Sequence, residues 1–97
     1  MRVLSLKTLR EFWELHPDAE PSLRAWYSFA EKATWKTPAD VKKMYSTASV
    51  IANNRVVFNI KGNQYRLVVA VQYRFRQVYI RFIGTHQEYD KIDAATI

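Results

Sequence analysis

A chain of 97 residues has room for one domain and no second, and its 48% hydrophobic content, with three Trp, six Tyr and five Phe, supplies a core and excludes a disordered chain. The absence of cysteine removes disulfides, thiolate metal sites and thiol nucleophiles, which suits a reducing cytoplasm, and no apolar run approaches the roughly 18 residues that cross a bilayer. A formal charge of +6 and a pI near 9.8 favour a polyanionic partner over an acidic or membrane-embedded role.

Apolar alternation over residues 2–5 opens a first strand, and Leu6, Leu9, Phe12 or Trp13, and Leu15 then recur at helical spacing. His16-Pro17-Asp18 ends this helix, because Pro17 lacks an amide donor and biases the residue before it away from helical angles. Pro21 sits near the start of a second helix, whose face carries Leu23, Trp26, Tyr27, Ala30 and Ala33. At that spacing the aromatic stripe is core packed on a sheet and not a ligand shelf. Thr37-Pro38-Ala39-Asp40 combines a cap, a first-turn proline and an acid at the third helical position, which predicts a short third helix to about Met44 or Tyr45.

After Ser49 the period becomes two, and Gly62-Asn63 marks a hairpin turn. Opposing Lys61 to Gln64 pairs Ile60 with Tyr65, Phe58 with Leu67 and Val56 with Val69 on one apolar face. The same register pairs Asn59 with Arg66, Val57 with Val68 and Arg55 with Ala70 on the other. A turn near Arg74-Phe75 leads to a third antiparallel strand, with Val78, Ile80 and Phe82 expected on the apolar face and Tyr79 and Arg81 on the other. Thr85-His86-Gln87-Glu88 has the spacing of a capping box and predicts a short terminal helix from His86. The order of elements predicts a single α+β domain over residues 1–97, with an N-terminal strand and helices packed on one face of an antiparallel sheet and a short C-terminal helix.

Charge is segregated along this order. Residues 41–87 contain no Asp or Glu but hold Lys42, Lys43, Arg55, Lys61, Arg66, Arg74, Arg76 and Arg81. If helices cover the apolar face, the other is expected to display Asn59, Lys61, Arg66, Tyr79 and Arg81, with His86 and Tyr89 at its edge. Such a set meets the needs of a ribonuclease that uses the neighbouring 2′-hydroxyl as nucleophile, which requires a base, an acid and fixed cations around phosphate, but neither metal nor cofactor. Arg66 and Arg81 on strands offer planar forks in fixed positions, whereas Arg55, Asn59, Arg74, Arg76 and Tyr79 suit RNA contacts. At a helix start the imidazolium of His86 is disfavoured, which suits a general base; a capping histidine without chemistry is the alternative. Tyr89 can donate a proton, stack a base or simply pack. His86 and Asp90 stand four apart, yet their basic surroundings argue against a metal. With only Gly62 and Gly84 there is no glycine-rich phosphate loop.

Residues 58–69 (FNIKGNQYRLVV) and 78–92 (VYIRFIGTHQEYDKI) resemble the HigB toxin family, as does the stretch at 35–41 (WKTPADV). The resemblance implies a RelE-like fold and cleavage of translated messenger RNA, usually on the ribosome. It also implies neutralisation by a HigA-type antitoxin carrying a helix-turn-helix domain. Arg81 and His86 fall inside the best-matching motif, with Lys61, Arg66 and Tyr89 supporting; Asn59 and Asn63 can instead hold the hairpin. The rival reading is a non-catalytic RNA- or ribosome-binding module that uses the same basic face and stacks bases on Tyr73, Tyr79 or Tyr89.

Overall fold

The computed structural model describes residues 1–97 as a five-stranded sheet with its first three helices on one side and a short C-terminal helix on the other. In chain order the elements are β1 (Arg2–Leu4), α1 (Leu6–Leu15), a 3-10 turn (Pro17–Ala19), α2 (Glu20–Lys32), α3 (Pro38–Met44), β2 (Ser49–Ile51), β3 (Arg55–Ile60), β4 (Tyr65–Gln72), β5 (Gln77–Thr85) and α4 (His86–Tyr89). The sheet order is β1-β5-β4-β3-β2. Besides the three expected antiparallel strands, β1 joins β5 in parallel and β2 forms an antiparallel edge on β3.

Leu9 and Trp13 are the buried residues of α1, and Leu23, Trp26 and Ala30 those of α2. Leu15, expected on the apolar stripe, is instead 80% exposed. A 3.6-residue period from Leu9 and Phe12 carries the stripe to His16, whose ring stacks on Phe12 with centroids 4.4 Å apart. The third helix starts as expected, with the Asp40 carboxylate accepting from the amides of Lys36 (2.8 Å) and Thr37 (3.1 Å). Phe58 anchors the core, with its ring centroid 5.4 Å from Trp26, 5.1 Å from Tyr45 and 6.2 Å from Trp35.

All six expected β3–β4 pairs are present, from Arg55 with Ala70 to Ile60 with Tyr65. The β4–β5 ladder departs from simple alternation. Val69 pairs with Ile80 and Val68 with Phe82, leaving Arg81 unpaired in a bulge. A bulge inverts the side-chain sense of the residues beyond it. Phe82, expected on the helix face, therefore packs on the opposite face with Val57 and Val68, and Ile83 takes its place against the main core.

That second face is not bare. Ala94 is buried against Val57 and Val68, and Tyr89, Ile92 and Ile97 pack around them, so α4 and the residues after it lie across the middle of the sheet. No helix is long and apolar enough to cross a membrane.

Candidate nucleic-acid interface

The register sets adjacent rows on the second face: Asn59, Arg66 and Gly84; Val57, Val68 and Phe82; Arg55, Ala70 and Tyr79; and Gln72 opposite Gln77. Small Ala70 leaves a depression between larger neighbours. Together with Arg55, Gln72, Phe75, Gln77, Tyr79 and Arg81 it lines a groove of about 560 Å³. The Tyr79 hydroxyl donates to Gln77 Oε1 at 2.8 Å, which fixes that amide at the groove wall. Phe75 is 66% exposed, with the Arg74 guanidinium 5.6 Å from its ring centre.

Two guanidiniums converge at one end of this groove. The main-chain oxygen of Ile97 accepts from Arg55 Nη2 at 2.6 Å, Arg55 Nε at 3.2 Å and Arg81 Nε at 3.2 Å. Asn53 Nδ2 holds the same segment through the Ala95 oxygen at 2.8 Å. The bulge lets Arg81 share this face with Tyr79 while Phe82 does so too.

The other expected site residues lie elsewhere. Lys61, expected on the second face, turns to the helix side, where its ammonium sits 2.8 Å from Asp18 Oδ2. Its position explains this, since Lys61 occupies the hairpin turn at φ 52 and is not bound by strand alternation. Tyr65 donates to the other Asp18 oxygen at 2.7 Å, and these two hydrogen bonds hold the Asp18 carboxyl below its ordinary pKa. Arg66 lies toward the hairpin end and donates to the Asn63 oxygen at 3.1 Å. Asn59 lines a shallow pocket with Trp26, Tyr45 and Lys61.

His86 opens α4 as expected, with the capping box formed: Glu88 N donates to Thr85 Oγ1 and Thr85 N to Glu88 Oε1. The Thr85 amide is the main cause holding the Glu88 carboxyl below its ordinary pKa. The His86 imidazole is exposed, with Nδ1 3.8 Å from Asp90 Oδ1. It lies five positions after Arg81, roughly 16 Å at the rise of a strand. Tyr89, half-buried, packs on the second-face cluster. Arg74 and Arg76 line a different cleft with Lys36. The structure thus gathers Arg55, Tyr79 and Arg81, and sets His86 and Arg66 toward the other end of β5.

Gln72, Phe75 and Gln77 were not among the expected site residues. The signal was present, since Gln72 and Gln77 flank the β4–β5 turn symmetrically, but amides at strand ends are common and carry no charge. No three His, Cys, Asp or Glu side chains cluster in a way that could hold a metal ion.

A family model described as HigB_toxin, RelE-like toxic component of a toxin-antitoxin system, matches residues 19–92. Over 92 residues the chain is 29% identical to the mRNA interferase toxin HigB of Escherichia coli K12, covering 93% of this chain and 88% of that protein. The same identity and coverage hold for the mRNA interferase HigB of Shigella flexneri.

Proposed function

The chain belongs to the HigB toxin family of RelE-like toxic components, and from that premise we propose that it is an endoribonuclease that cleaves messenger RNA and is restrained by an antitoxin. The observation that carries the reading is the pair of guanidiniums from Arg55 and Arg81, which place three N–H donors around one oxygen on a basic sheet face. A non-bridging phosphate oxygen can take the same place, since a guanidinium fork matches the geometry and charge of phosphate oxygens. Relatives named mRNA interferases support the choice of substrate.

In this reading an RNA strand runs along β5, with one phosphate at Arg55 and Arg81 and a base against Tyr79. The strand then continues toward Arg66 and His86. Arg81 neutralises charge at phosphate, and His86 is the group suited to proton transfer, its ring being exposed while His16 is stacked on Phe12. Lys61 is committed to Asp18, and its role passes to Arg66. Attack by the 2′-hydroxyl needs no metal, and the site offers cations in place of one. We further propose a HigA-type antitoxin, action on the ribosome, and residence in the cytoplasm where translated messenger lies.

Digestion of a susceptible messenger by purified protein and ribosomes tests this reading. The expected products carry 2′,3′-cyclic phosphate or 3′-phosphate ends. Ends with 3′-hydroxyl groups would overturn the 2′-hydroxyl mechanism. The separation of His86 from Arg81 is the observation that favours the rival non-catalytic module, and uncut RNA with arrested translation would establish that rival.

A further inference from the structure

A second cleft, of about 440 Å³, lies on the other side of the β4–β5 turn, between Thr34, Trp35 and Lys36 ahead of α3 and Tyr73, Arg74 and Arg76 of the turn. Its cations are free: Lys36, Arg74 and Arg76 form no ion pair and no side-chain hydrogen bond. Asp40 is the nearby acid, and its carboxylate is occupied by the amides of Lys36 and Thr37. Trp35 is 3% exposed. Its indole Nε1 and the Tyr73 hydroxyl are both buried without a hydrogen-bond partner. Unpaired buried donors cost about 1–3 kcal/mol each and call for a partner. Arg76 adopts φ 56, a left-handed conformation that a glycine would hold more cheaply.

The cleft therefore offers positive charge, two residues of its wall each carry a buried donor without a partner, and its own acid is already paired. We propose that it binds a phosphate of an RNA strand, at a second site separate from the one at Arg55 and Arg81. The ligand must be anionic and rich in acceptors, which a backbone phosphate satisfies with one full charge, two non-bridging oxygens and its ester oxygens. Continuity with the first groove favours RNA over an acidic protein. The turn straddles both sites, with Phe75 lining the first and Arg74 and Arg76 the second. A strand crossing the turn can stack a base on Phe75 and place a phosphate on either side. The choice of RNA rests on the proposed function; the anion site itself does not.

The indole N–H resonances of Trp13, Trp26 and Trp35 report on this directly in a nitrogen-15 NMR titration. Inorganic phosphate, and then a short single-stranded oligoribonucleotide, are expected to shift the Trp35 indole saturably while Trp13 and Trp26 stay in place. Lys36→Gln and Arg76→Gln, both at exposed side chains, are expected to weaken binding about tenfold each while leaving the rest of the spectrum folded, as loss of a charge-assisted hydrogen bond would. The double variant is expected to sediment less with ribosomes. An unmoved Trp35 indole, or unchanged affinity in both variants, overturns the site. Phosphate binding with undiminished ribosome sedimentation, and a Trp35 shift on adding antitoxin instead of RNA, overturns the RNA assignment in favour of an acidic protein. A protein that cuts no messenger would remove the proposed function while leaving the phosphate titration standing.

Discussion

Arg81 reaches the groove beside Tyr79 and Arg55, and it contacts the Ile97 oxygen from an exposed position. His86 is likewise exposed. Arg81→Ala and His86→Ala are therefore expected to lower messenger cleavage by on the order of 10²–10³ without changing the fold, measured as single-turnover rates beside thermal melts. Arg74→Ala, which removes a charge at the turn, is expected to weaken RNA binding modestly and to flatten its salt dependence, so that the gap to the parent protein narrows as salt rises. Greater damage from Arg74→Ala than from Arg81→Ala at low salt would move the chemistry from strand to turn. Asp18 supports a different prediction. Its pKa is depressed in the folded state, by Lys61 and then Tyr65, below an ordinary value of 3.8. The stabilisation is present above that value and is lost as pH falls through the lower folded one. Melting temperature measured from neutrality down to acid should drop below pH 4 less steeply in Asp18→Asn than in the parent protein.

At the scale of elements, β5 carries the heaviest constraint. Gly84 faces the Phe82 ring, and a Cβ built there would stand 2.5 Å from Phe82 Cζ and 3.2 Å from Glu88 Oε1. Gly84→Val is expected to destabilise by about 1–3 kcal/mol through overpacking, read from denaturant midpoints, and Phe82→Leu in the same chain should recover part of the loss. The hairpin of β3 and β4 was legible in the sequence because its turn is local and only one register keeps both faces consistent. The caps at Thr37 and Thr85 were legible for the same reason. The bulge was not, since Phe82 and Ile83 are both apolar and either could face the core. Strand alternation does not reach Lys61, which leaves the strand face at its turn, and it says nothing of how far along β5 His86 lies from Arg81. The groove's amides, Gln72 and Gln77, had no charge or periodicity to announce them.

For the whole molecule, the segregation of charge marks where along the chain the cations lie but not which of them share a pocket. The acid-free stretch 41–87 wraps around the sheet, so its cations distribute over the groove, the hairpin end and the second cleft. The middle of the second face, which composition cannot resolve, is apolar and covered by α4 and the segment after it.

The parallel pairing of β1 with β5 matters in the order of events during folding. Arg2 pairs with Gln77 and Leu4 with Tyr79, so the loop they close takes in most of the chain. Closing it costs entropy that local hairpins do not face, and contacts of this span slow folding. The hairpin of β3 and β4 can form early, whereas β1 must wait for β5. Val3, paired with Val78, is then a late contact. Val3→Ala is expected to destabilise by about 1 kcal/mol, mostly by faster unfolding with the folding rate nearly unchanged in stopped-flow measurements. During synthesis the same geometry acts as a delay. The strand that carries Tyr79 and Arg81 gains its outer neighbour only after it has left the ribosome, so the sheet is the last part of the protein to be completed as the chain is made.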